Sequence, residues 1–291
     1  MLPVKEYKFL FILYFILGSA TGFCQSPDRS IVREDSLKSN VLKVTRKYTV
    51  YLPIGYEQSK DNKYPVLYLL HGHSHRNNTF VEDGKLQQIA DELIKNGSSS
   101  PMIIVTPDAN RVKNGYFDTN RWPYETFFFE EFIPYIETKY RISGNQSSRA
   151  IAGFSMGGGG AVAYAIKHPD MFGSVYAMSA LMTLPKPKAR SAVTNPKPNY
   201  MEFGQSVLAN DCIVLIENID QATLEKLRKI KWFVDCGDDD FLLDVNTKFC
   251  RAMKEAKVPF ELRIRDGDHN FEYWTSCLYL TLPFVSNTFR Q

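Results

Sequence analysis

The chain has 291 residues, 44% of them hydrophobic, and a formal net charge of +3. That is an ordinary length for one α/β unit. The small, scattered charge offers no clustered basic face, which excludes nucleic acid as a partner.

The first 24 residues stand apart. Lys5 and Lys8 precede the ten-residue apolar run FLFILYFILG and then the small residues SATG, the order and size of a secretory signal cut before Gln25. The run is well short of the roughly 20 residues that cross a bilayer. Cys24 at the cut opens a second reading, a lipid-anchored protein, against which Phe23 is bulky. Either way the chain is expected to be exported, to a periplasm or the exterior, with no transmembrane segment in the mature protein. Residues 25–40 read as a polar leader and 41–291 as one domain. Export permits disulfides. Cys212, Cys236, Cys250 and Cys277 are spread singly, however, so free buried thiols are expected, with one disulfide as the alternative, and zinc-finger or redox spacing is absent.

Along the domain, KYTVYLP alternates and ends in Pro53, as an early or edge strand would. YPVLYLL is apolar throughout, the pattern of a strand covered on both faces. Leu86, Ile89, Ala90, Leu93 and Ile94 make one helical stripe. PMIIVTPDAN is a second buried strand, and ETFFFEEFIPYIETKY a long helix that Pro134 could kink. SSRAIAGFSMGGGGAVAYAIKHP reads strand, sharp turn, helix. GSVYAMSA and KWFVDCG are strands separated by some fifty residues. Between them lies PKPKARSAVTNPKPN, too rich in Pro and Lys for a helix or a central strand, and a short helix near ATLEKLRKI. A helix over DVNTKFCRAMKEAK, a strand over FELRIRD and a closing helix from about Glu272 complete the chain. Alternating strands and helices predict an α/β fold, a mostly parallel sheet with helices on both faces. Working groups then gather at the carboxyl ends of the strands.

The sharpest motif is Gly153-Phe154-Ser155-Met156-Gly157. Set between a strand and an Ala-rich helix, G-x-S-x-G forms a strained elbow that presents a nucleophilic serine. Serine needs a base, later in the chain and after an acid. His269 in RDGDHNFEYW follows the last predicted strand and precedes the closing helix. His168 ends the elbow's own helix and reads as a C-terminal cap. For the acid, DCGDDDFLLD offers Asp235, Asp238, Asp239, Asp240 and Asp244, and spacing does not choose between Asp239 and Asp240.

Taken together, YPVLYLLHG, GFSMGG, CGDDDFLLD and GDHNFEYW resemble an esterase family of α/β-hydrolases. It includes S-formylglutathione hydrolases, tributyrin and enterochelin esterases, and the feruloyl and acetylxylan esterases of carbohydrate-esterase family one. The resemblance runs from about residue 40 to the end and implies the α/β-hydrolase fold. It also implies Asp240 as the acid and backbone N–H groups of His73 and Met156 as an oxyanion hole. An ester on a small molecule or a plant polysaccharide, acetyl or feruloyl, is the implied substrate, with no cofactor. The departure from the family is the Pro/Lys-rich segment near 185–199, a candidate lid.

His71, His73 and His75 alternate in LLHGHSHRNN, which on a regular strand would put three imidazoles on one face, as a zinc site requires. Gly72, Ser74 and the RNN that follows read instead as a loop leaving the strand. Trp122 and Trp274 are candidate substrate contacts, with core packing the favoured reading for each, and Glu125 is a first-turn helix acid. Rival readings are an acyltransferase of the mycolyltransferase type, a non-catalytic carbohydrate-binding protein on the same fold, and a zinc hydrolase built on the histidines. The sequence sets no oligomeric state.

Overall fold

The computed structural model describes residues 29–109, 115–185 and 198–290. The signal expected over 1–24, Cys24 and most of the Pro/Lys-rich segment lie outside them.

The strands and helices follow in chain order. β1 (Ile31–Lys38), β2 (Thr45–Leu52) and β3 (Val66–Leu70) precede α1 (Thr79–Glu82), α2 (Leu86–Lys95) and β4 (Ile103–Pro107). A two-residue hairpin, β5 (Asp118–Thr119) and β6 (Trp122–Pro123), leads into α3 (Tyr124–Phe127), a π-turn over Phe128–Phe132, and α4 (Ile133–Lys139). β7 (Arg149–Phe154), α5 (Met156–Lys167) and β8 (Ser174–Met178) form the next unit. Then come α6 (Pro198–Ala209), α7 (Cys212–Glu217), α8 (Gln221–Leu227), β9 (Lys231–Gly237), α9 (Leu243–Glu255), β10 (Glu261–Arg265) and α10 (Phe271–Phe289).

Eight strands make one sheet in the order β1-β2-β4-β3-β7-β8-β9-β10. From β4 to β10 every pairing is parallel, while β1 with β2 and β2 with β4 are antiparallel. The unbroken apolar strands have the expected cause. In β3, Val66, Tyr68 and Leu70 face the core under α3 to α5, and Leu67 and Leu69 face the core under α2 and α10. Both faces are covered, so neither set of alternate positions can be polar.

Three expectations are corrected. Residues 31–38 are not part of a loose leader but an edge strand, paired with β2 from Ile31–Leu52 to Lys38–Thr45. Its polar residues are held by the main-chain ladder and by surface ion pairs, Glu34 with Lys47 and Asp35 with Lys139. The domain therefore begins before residue 41. The helix through Pro134 is not one regular helix: the missing N–H is absorbed by the π-turn immediately upstream. The long β8–β9 connection also carries more helix than expected, with α6 starting at Pro198 in the first turn, where proline is tolerated. Cys212, Cys236, Cys250 and Cys277 are free and buried. Among the described residues no helix is long and apolar enough to cross a membrane.

Candidate active site

The chain reverses its direction of travel across the sheet at β3, with β4 on one side and β7 on the other. A crevice opens at the carboxyl ends of strands at such a point. Here it is a cleft of about 410 Å³ lined by His73, Ser74, His75, Ser155, His269, Asn270, Phe271 and Trp274.

Ser155 sits between β7 and α5 with φ 54° and ψ −121°, a region non-glycine residues rarely enter. The turn is held from all sides. Ser155 N–H donates to the Met178 carbonyl, and the Ser155 carbonyl accepts from Gly159 and Leu181. The flanking glycines are demanded by contact. A Cβ on Gly153 would lie 2.5 Å from the Gly157 backbone, and one on Gly157 would lie 2.1 Å from the Leu70 carbonyl oxygen. The G-x-S-x-G pattern is thus the shape of a backbone crossing. Since the first helical bond of α5 runs from Gly159 to Ser155, the Met156 N–H has no acceptor within the helix. It points from the helix's positive end.

His269 lies in the loop between β10 and α10. Its Nδ1–H donates to Asp240 Oδ2 at 2.8 Å, which leaves Nε2 to accept the Ser155 hydroxyl at 2.9 Å. Of the five aspartates, Asp240, 4% exposed, is the one that bonds the imidazole; Asp235 is also buried but is bonded to Tyr176, Arg265 and Tyr273, and Asp238, Asp239 and Asp244 face solvent. Burial by itself would raise the Asp240 carboxyl, but hydrogen bonds from His269 and from the Leu242 N–H outweigh it and hold it below the usual range. The Phe241 and Trp274 rings flank the imidazole at 4.6 and 4.9 Å.

The three alternating histidines do not converge. His71 is fully buried, with Nε2 accepting from the Ala109 N–H at 3.0 Å and Nδ1–H donating to the Gly72 carbonyl at 2.7 Å. Both its nitrogens are occupied by backbone, so it has no lone pair for a metal. His73 packs on Phe203 at 4.6 Å, and His75 meets Phe154, Phe271 and Trp274 edge-on. Burial first, and the neighbouring His71 second, lower the affinity of both rings for a proton. Among the described residues the one group of three close ligand side chains is Asp238, Asp239 and Asp266, all exposed.

The two tryptophans part company. Trp274 stacks on Phe154 at 4.2 Å and lines the cleft. Trp122 does not line it: the ring stacks on Tyr124, and the indole N–H bonds the Gly115 carbonyl at 3.1 Å. Its place is the core, which corrects the expectation of a substrate contact. Glu125 is buried, bonded to Lys167 and to His168 at the end of α5, far from the cleft. Sequence reasoning missed the aromatic partners Phe271 and Phe203. Phe271 sits two residues past His269, a proximity that could have revealed it, whereas nothing local marks Phe203.

A family model described as "Putative esterase" matches residues 39–285. A solved ferulic acid esterase superposes with a TM-score of 0.85 at 49% identity, covering 90% of this chain and 99% of that one. An S-formylglutathione hydrolase from Staphylococcus aureus superposes with a TM-score of 0.72 at 22% identity, over 89% of this chain and 99% of that one, a likeness of fold. Among curated proteins, an endo-1,4-beta-xylanase/feruloyl esterase from Xylanibacter ruminicola is 28% identical over 79% of this chain and 28% of its own length. The S-formylglutathione hydrolase of Bos taurus is 26% identical over 90% of this chain and 92% of its own. The chain spans less than a third of the first curated relatives it matches.

Proposed function

The chain belongs to the "Putative esterase" family of serine hydrolases with the α/β-hydrolase fold, and on that footing we propose that it is an exported carboxylesterase working through Ser155, His269 and Asp240. The observation that carries this reading is the pair of bonds on one imidazole, 2.9 Å to the serine hydroxyl and 2.8 Å to a buried carboxylate. Ser155 Oγ attacks the ester carbonyl while Nε2 takes its proton. The tetrahedral intermediate expels the alcohol, which receives that proton from His269. Water then attacks the acyl-enzyme, giving its proton to Nε2, and the acid leaves as the serine is restored. Asp240 fixes the tautomer and stabilises the imidazolium.

The oxyanion is held by the N–H groups of His73 and Met156, each worth ~2.7–4 kcal/mol of barrier. The substrate is an acetyl or feruloyl ester of a plant polysaccharide. Support comes from the 49% identity to a ferulic acid esterase and from an N-terminus built like an export signal. The aromatic rings of the cleft, Trp274 and Phe271, are suited to a phenolic acyl group.

The test compares the mature protein, Ser155→Ala and an EDTA-treated sample on p-nitrophenyl acetate and methyl ferulate. Turnover is expected to vanish in the folded serine variant and persist in EDTA. A folded Ser155→Ala with full activity would overturn the mechanism, and loss in EDTA alone would return attention to metal chemistry.

A further inference from the structure

One buried carboxylate takes no part in this chemistry. Asp235, near the end of β9, is 0% exposed. Its Oδ2 accepts the Tyr176 hydroxyl at 2.6 Å and Arg265 Nη2 at 3.1 Å, and its Oδ1 accepts the Tyr273 hydroxyl at 2.5 Å and Arg265 Nε at 3.3 Å. A charge in a sheet interior costs stability unless it is fully paired, so its placement calls for a reason beyond filling space.

The partners supply one. Arg265 ends β10 four residues before His269, and Tyr273 stands four residues after it in the first turn of α10. Asp235 therefore grips the base loop at both of its ends. The same loop is laced to the acid loop between them. Asp238 N–H donates to the Arg265 carbonyl and Asp239 N–H to the Gly267 carbonyl, while Gly267 N–H donates to Asp238 Oδ1 at 3.0 Å. The packing leaves no slack: a Cβ on Gly267 would lie 2.3 Å from the Tyr273 ring, and one on Gly237 would lie 2.1 Å from the Gly267 carbonyl oxygen.

We propose that Asp235 is a positioning residue, holding the His269 loop through Arg265 and Tyr273 at the separation from Asp240 that the catalytic hydrogen bond requires. Tyr176 bonds the same carboxylate but lies on β8, on the side away from the base loop, and serves stability alone. This inference rests on the roles proposed for Ser155, His269 and Asp240.

Tyr273→Phe removes one grip while keeping the ring, and Tyr176→Phe removes a comparable bond with no link to the loop. Both would be assayed on methyl ferulate and p-nitrophenyl acetate. Their melting temperatures and the downfield proton resonance of the His269 Nδ1–H would be compared with those of the parent. Tyr273→Phe is expected to lower kcat about tenfold on both substrates, with KM within about twofold, and to shift that resonance. Tyr176→Phe is expected to keep kcat and the resonance. Equal losses of kcat in the two variants, or a folded Tyr273→Phe with parental kcat and resonance, would overturn the proposal. A folded, fully active Ser155→Ala would instead overturn the catalytic reading beneath it, a separate result.

Discussion

Replacing Gly157 with alanine adds one methyl group at the point where α5 passes the end of β3. That carbon would lie 2.1 Å from the Leu70 carbonyl oxygen, 2.5 Å from its carbon and 2.7 Å from the His71 carbonyl oxygen. All three are backbone atoms, so no side chain can swing aside. Restoring ordinary contact needs a separation larger by about 1 Å between the start of α5 and the end of β3. The two proposed oxyanion donors sit on opposite sides of that seam, Met156 on the helix and His73 just past the strand. A misplacement of that size costs about 10²-fold in kcat. Overpacking costs about 1–3 kcal/mol of stability, or roughly 2–6 °C of melting temperature for a chain of this size.

The assay is kcat on methyl ferulate beside a calorimetric melt of the same sample. Gly55→Ala is the control: φ is +83° there and nothing lies within 4 Å of the added carbon. It should cost about 1–2 kcal/mol of strain and leave kcat unchanged. A Gly157→Ala enzyme with parental kcat and melting temperature would refute the steric account of the motif.

Asp240, held below the usual carboxylate range, adds stability that is whole above its unfolded value of about 4 and is lost as pH falls through the lower folded value. The stability gap between the parent and Asp240→Asn, from urea unfolding at pH 7 and pH 3, should therefore narrow in acid. A gap independent of pH would contradict the assignment. Trp274→Ala should lower kcat/KM more on methyl ferulate than on p-nitrophenyl acetate, because the ring walls the cleft. Trp122→Phe should leave both rates intact while costing about 1–3 kcal/mol, since it strips the Gly115 carbonyl of its donor. An equal effect of the Trp274 change on the two esters would argue against an acyl-side position.

The sequence was most readable where one physical demand acted alone. β3, β4 and β7 to β9 are covered on both faces, so their apolar runs identify them without help from the rest of the chain. β1 was hidden because its reward is a ladder with β2 that lies between seven and twenty-one residues away, and Ile-Val-Arg-Glu-Asp-Ser-Leu-Lys carries no clean alternation. Ser155 and His269 were legible from motif and order. Asp240 and Asp239 are equivalent by spacing, and only the fold turns one carboxylate inward. Trp122 and Trp274 look alike as letters, and their separation into core and cleft depends on packing partners far along the chain. Asp235 was visible only as one of five candidate acids; its partner Tyr176 comes from β8, fifty-nine residues earlier.

The proposed nucleophile and its two helpers do not rest on equally firm ground. Ser155 follows a central strand with neighbours on either side, whereas His269 follows β10, the last strand, whose residues are exposed or half-exposed along its whole length and which pairs with β9 alone. Opening free energy falls with such lack of cover. Heat or denaturant is therefore expected to free His269 before Ser155, so that activity falls while most of the sheet still stands. On that account the working range would be set at the margin of the sheet rather than at its core.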